Sequence, residues 1–129
     1  MEAKEAMQLG RYFGKEKKYM LFKNMGIYQL LAQINDDKQL LEFVPEGLLR
    51  LQAYDIHSNI DLLKTLSAYL ANGGNARKTA EQLYVHYKTL QYRLDRIEEI
   101  AELDLENGET RLEYHIGLKI LNMLQAKND

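Results

Sequence analysis

Apolar residues recur at helical spacing along most of this chain, and the cleanest stretch lies in its second half. From Asn59 onward, Ile60, Leu63, Leu66 and Leu70 repeat every three or four positions, with Leu62, Ala68 and Tyr69 beside them. One face of an α-helix has that period, so a helix of about three turns is expected there. Gly73 and Gly74 can adopt the left-handed backbone that stops a helix. Asn75 then offers a capping side chain to the next helix. Residues 75–97 read as two short amphipathic helices joined by a tight turn, the second being the longer. Leu103 and Leu105 alternate with acidic residues in a loop over 101–109. A last helix is expected over about 109–126, with Leu112, Ile116, Ile120, Met123 and Leu124 facing inward.

The first half is less regular. Residues 2–12 read as a helix with Ala3, Ala6, Met7 and Leu9 on one side, and Tyr19–Phe22 as a short strand. Asn24 is placed to cap a helix over about 25–34, striped by Ile27, Leu30, Leu31 and Ile34. The period resumes near Asp37 with Leu40, Leu41, Phe43 and Val44, meets Pro45, and continues through Leu48, Leu49, Leu51 and Tyr54. Pro45 interrupts this stretch or opens a new first turn. Residues 55–59 are polar and read as a linker. One strand cannot form a stable sheet. Residues 1–35 are therefore expected to be the remnant of an upstream α/β domain, residues 36–58 a helical connector, and residues 59–127 a separate domain. The fold class expected is mainly α: a helix-turn-helix helical bundle with a short N-terminal α/β remnant.

Composition narrows the function classes. Of 129 residues, 46% are hydrophobic and 28% charged, ordinary values for a folded water-soluble chain. No apolar run is long enough to span a membrane; even Tyr19–Phe22 is stopped by Lys23. There is no cysteine, so disulfides and thiolate metal sites are excluded, consistent with a cytoplasmic location. The three histidines, His57, His86 and His115, are far apart and lack metal-ligand spacing, and no serine sits in a nucleophile elbow. No enzyme, cofactor or metal reading follows.

The formal net charge is −2, so the chain as a whole is not basic. Its cations are segregated: residues 75–97 hold Arg77, Lys78, Lys88, Arg93 and Arg96 against Glu81 and Asp95. A local positive patch on a helical hairpin suits double-stranded DNA, and its modest size suits a homodimer or an array better than one copy. With Leu90 at the origin of a helical wheel, Leu94, Ile97 and Ala101 form the buried stripe. Lys88 and Tyr92 lie opposite, with Thr89 and Gln91 on the flanks. A recognition helix over about 87–100 would then present hydrogen-bonding groups to the major groove.

Roles follow from group chemistry. Lys88 suits guanine or a phosphate, and Gln91 suits adenine. Thr89 suits a phosphate; Tyr92 suits a phosphate or a thymine methyl. Arg93 and Arg96 sit later and further round and suit phosphates. Asn75, with the free amides after it, and Arg77 and Lys78 offer a phosphate site at the first helix's start. His86, at the N-cap of the second helix, is expected to cap it or to touch a phosphate, and Tyr87 lies at the reading end. Asp95 should mark where the helix leaves the DNA. The alternative is a helical dimerisation or protein-interaction module without DNA binding.

These residues resemble a known family. The run Leu62–Asn75, then Thr79-Ala80, Leu83–His86, Thr89–Glu99, Leu103–Leu105 and the apolar helix from Arg111-Leu112 are similar to the C-terminal helix-turn-helix of PucR/CdaR-type bacterial regulators. Leu9-Gly10, Tyr19–Phe22 and Leu30-Leu31 resemble the tail of the GGDEF-like domain that precedes this module. The resemblance implies a transcriptional regulator acting as a dimer, its effector ligand bound by upstream domains absent from this chain. Where family members often have Arg-Asn, this chain has Tyr87-Lys88, so its operator is expected to differ.

Overall fold

The computed structural model describes residues 26–128. The expected helix over 2–12, the strand Tyr19–Phe22 and the cap at Asn24 lie outside the described residues. Seven helices follow among those described: α1 (Gly26–Leu31), α2 (Asp37–Glu42), α3 (Glu46–His57), α4 (Leu62–Ala71), α5 (Ala76–Leu83), α6 (Tyr87–Ala101) and α7 (Gly108–Asn128). The mainly helical class holds, and no strand occurs among the described residues. No helix among them is long and apolar enough to cross a membrane.

The chain divides into two compact units. In the first, the described residues are 26–44 and 116–128. Leu31, Ala32, Leu40, Val44, Leu118, Ile120 and Met123 are buried there. The Asp36 side chain caps α2 by accepting from the Lys38 amide at 3.0 Å, and Lys127 pairs with Asp37 at 2.9 Å. The Lys119 ammonium stands over the Tyr28 ring, 4.9 Å from its centre. Burial pushes the Tyr28 phenol up, against a smaller lowering by its hydrogen bond with Asn122. Three expected apolar positions point outward: Leu30, Leu41 and Phe43 are exposed. Helices α1 and α2 have six residues each, too few turns to bury every apolar position on one face.

The second unit runs from Pro45 to His115, so α3 lies in it with α4, α5 and α6. Its core is built from Leu48 and Leu51 of α3, Leu62 and Leu66 of α4, and Leu90 and Ile97 of α6, all fully buried. Helix α4 packs against α3, α5 and α6. That broad burial recentres its stripe: Leu62, Thr65, Leu66 and Tyr69 are buried, whereas Ile60 and Leu63 are only half-buried. Leu49 is exposed on the far side of α3.

The expected linker over 55–59 is a correction. Helix α3 continues to His57, and Asp55 inside it accepts from the amides of Leu62 and Leu63 at 2.9 Å each. With Asp61 accepting from Lys64 at 2.9 Å, three of the orphan amides at the start of α4 are satisfied. The inward position of Leu112 is a second correction: Leu112 is exposed and Tyr114 is buried in its turn of α7. Tyr114 lies against Gly47, where a Cβ would overlap the Tyr114 hydroxyl and stand 2.8 Å from the Ala101 Cβ. Glycine at 47 is what lets α3 approach the end of α6 this closely.

Candidate nucleic-acid interface

The start of α5 is set by three consecutive residues. Gly73 and Gly74 take φ of 63° and 79°, turning the chain out of α4. Asn75 is then extended, and its side chain accepts from the Lys78 amide at 3.0 Å. The buried Thr79 hydroxyl donates to the Asn75 carbonyl at 2.7 Å. Asn72 closes the corner by donating to the Ala68 carbonyl at 2.9 Å and the Gln82 side chain at 2.8 Å. The expected stop, restart and cap are all present.

The turn between α5 and α6 uses a left-handed residue without being glycine. Tyr84 has φ 56° and ψ 41° and is 96% exposed. Its amide and that of Val85 donate to carbonyls of the last turn of α5, at 3.2 Å to Glu81 and 3.0 Å to Ala80. His86 occupies the N-cap of α6, as expected, but its side chain makes no capping hydrogen bond. Only its carbonyl joins the helix, accepting from Leu90 at 3.0 Å. A side-chain cap by His86 is thereby corrected.

The wheel of α6 is largely realised. Leu90, Ile97 and Ala101 are buried and Leu94 is half-buried. Lys88, Thr89, Gln91 and Tyr92 are exposed, and Tyr87, Arg93 and Arg96 are half-buried. The basic side chains differ in their freedom. Among the described residues, Lys78, Lys88 and Arg93 take part in no ion pair. Arg96 is engaged: it pairs with Glu99 at 2.8 Å and lies 5.3 Å from the Tyr54 ring centre. The nearby Tyr54, then Glu99, pushes its pKa further up. Arg77 lies over the Tyr87 ring at 4.6 Å, and the Gln91 amide donates to the Tyr87 hydroxyl at 3.0 Å.

Several residues that position this surface carry no local sequence signal. Arg50 of α3 donates to the carbonyls of Ile100 and Ala101 at 2.9 Å each, closing the carboxyl end of α6. Glu102 follows in the left-handed region, at φ 54°. The Glu98 carboxylate accepts from the Leu105 amide at 2.9 Å, while Arg111 donates to the Leu105 carbonyl at 2.7 Å. These contacts pin the loop after α6. Beside it an open cleft of about 340 Å³ is lined in part by Tyr69, Tyr87, Gln91, Asp95, Glu98 and Glu106. Burial and the nearby Glu106 charge push the Tyr69 phenol up. Three carboxylates on this side repel phosphate, which bounds the basic face. No group of His, Asp or Glu among the described residues is arranged to hold a metal ion.

Comparison with known proteins bears on this geometry. Residues 62–120 match the family model of the PucR C-terminal helix-turn-helix domain. The chain is 33% identical to the proline-responsive transcriptional activator PutR of Bacillus subtilis over 93% of its length, covering 29% of that protein. It is 31% identical to the carbohydrate diacid regulator of Escherichia coli over 92% of its length, covering 30% of it. It is 28% identical to the purine catabolism regulatory protein of Bacillus subtilis over 95% of its length, covering 23% of it. The chain thus spans less than a third of the length of these relatives. No solved structure matches it significantly.

Proposed function

We propose that residues 62–120, which match the family model of the PucR C-terminal helix-turn-helix domain, act as a DNA-binding regulatory module whose α6 enters the major groove and reads a specific operator. The carrying observation is the outward row of α6. Lys88 and Tyr92 stand opposite Leu90 and Ile97, with the exposed Gln91 on the flank, on a helix tied down at its carboxyl end by Arg50. Lys88 and Gln91 read base edges, Tyr92 meets a phosphate or a thymine methyl, and Thr89 meets a phosphate. Arg93 and Lys78 hold phosphates through charge no other described residue neutralises. Arg77, Asn75 and the first amides of α5 face a neighbouring phosphate. His86, free of a capping role, is available to a phosphate at the start of α6. Arg96 contributes less, because Glu99 already shares its charge.

The whole protein, in this reading, is a cytoplasmic, ligand-responsive transcriptional regulator acting as a homodimer on paired half-sites. Its effector binds upstream of this module, and residues 1–35 are the tail of a GGDEF-like domain. The regulator names of the relatives and the alignment over nearly all of this chain support the part of that reading that makes it a transcriptional regulator. Selection of bound sites from random duplexes tests it. A single enriched motif is expected, with Lys88→Ala changing preference at one base pair by about 1–3 kcal/mol. No enrichment from a dimeric protein would leave the helical interaction module as the better account.

A further inference from the structure

We propose that Tyr87 is a positioning residue for base readout: its phenol oxygen holds the Gln91 amide in the orientation that reads adenine. This rests on the reading that α6 enters the major groove. Gln91 is exposed, and an unrestrained glutamine side chain rotates about three torsions and presents its amide either way round. Here Nε2 donates to the Tyr87 Oη at 3.0 Å, one helical turn back. That bond uses one of the two amide hydrogens. The second hydrogen and the Oε1 acceptor are not used by that bond, and together they match N7 and the N6 amino group of adenine. Guanine offers two acceptors on the same edge, and in this orientation Oε1 would face one of them unpaired; turning the amide over would break the Nε2–Oη bond and require the phenol to donate to Oε1 instead.

The phenol is itself held. Tyr87 is half-buried, and the Arg77 guanidinium of α5 covers its ring at 4.6 Å. A cation over an aromatic face resists rotation of that ring. Arg77, Tyr87 and Gln91 therefore form a chain from the first motif helix to the base-reading amide. Because the amide is ordered before DNA arrives, the entropy of fixing it is not lost on binding.

The test is Tyr87→Phe in the full chain, measured on the selected duplex and on the same duplex with guanine replacing adenine at the position Gln91→Ala disturbs. Phenylalanine keeps the ring under Arg77 and removes only the oxygen. The expected result is a fall in adenine-over-guanine preference of about two- to tenfold at that base pair alone. Preference elsewhere, salt slope and unfolding midpoint should stay unchanged, and adding Tyr87→Phe to Gln91→Ala should have no further effect. If Gln91→Ala removes the preference and Tyr87→Phe leaves it intact, the positioning role is overturned while groove reading by Gln91 stands. A uniform loss of affinity in Tyr87→Phe also overturns it, since the phenol would then touch DNA directly. If Gln91→Ala changes no base preference, the assignment of Gln91 fails and the inference fails with it.

Discussion

The Arg50 guanidinium reaches across from α3 to the carbonyl oxygen of Ala101, with 2.9 Å between Nη2 and oxygen, and makes an equal bond through Nε to Ile100. Two of the carbonyls left open at the end of the proposed recognition helix are closed from another helix by a cation, which also meets the helix's negative pole. Glu46 and Glu102 flank it at 3.3 and 3.6 Å and keep the guanidinium in place.

Arg50→Ala should therefore destabilise the domain by about 2–3 kcal/mol, with Arg50→Lys recovering only part of it because an ammonium cannot reproduce the two-pronged contact. Urea denaturation of the three proteins decides this. An Arg50→Ala protein as stable as the parent would show that the end of α6 needs no partner.

Gly47→Ala should cost about 1–3 kcal/mol, since the added methyl overlaps Tyr114 and Ala101. Combining it with Tyr114→Phe removes the nearest clash and should restore part of the loss. Additive effects in the double variant would exclude a direct conflict between residues 47 and 114.

Tyr84→Gly should raise stability by roughly 0.5–1 kcal/mol, relief of left-handed strain outweighing the extra freedom of glycine in the unfolded chain. Because Tyr84 is almost wholly exposed, no packing is lost. A lower melting temperature for this variant would count against the strained turn.

The two late arginines of α6 should differ on DNA. Arg93→Ala is expected to lower affinity on every duplex and reduce the salt slope by about one. Arg96→Ala should change both less, and Glu99→Gln should raise affinity by freeing the Arg96 charge. Equal salt slopes for Arg93→Ala and Arg96→Ala would contradict the difference in their pairing.

Alkaline pH should weaken the fold. Burial pushes the Tyr114 phenol up, against a smaller lowering by Arg50, and burial with Glu106 pushes Tyr69 up. Below the ordinary tyrosine value of about 10 both phenols are neutral, folded or unfolded, and contribute no slope. Above it the unfolded chain ionises first and binds fewer protons, so stability falls as pH rises toward the folded-state values. Tyr114→Phe should flatten that fall, as unfolding curves at several alkaline pH values would reveal.

The helical hairpin, the Gly73-Gly74 stop, the Asn75 cap and the buried stripe of α6 were legible in the residues. Each depends on a local rule: left-handed backbone is easy for glycine, a short amide caps the residue three ahead, and a helix repeats every 3.6 residues. Leu94 departs only slightly, being half-buried. Reading Asp55 as linker failed because a carboxylate inside one helix caps the next, seven residues on, and no local pattern separates that from a polar loop. Leu30, Phe43 and Leu112 failed because periodicity finds a face without saying how much of it another element covers.

By itself the sequence determined the helical hairpin over 75–97, the stop and restart at Gly73–Asn75, and which side of α6 is polar, since these follow from interactions within about one turn. Only the tertiary structure decided which polar groups on that side remain free. Arg50 was drawn to residues 50 and 51 positions away, and Arg96 came to rest against Tyr54. Tyr87 lies beneath Arg77, and Lys88 and Arg93 were left without an ion-pair partner among the described residues. Those outcomes depend on distances between helices, which packing sets and local spacing does not encode.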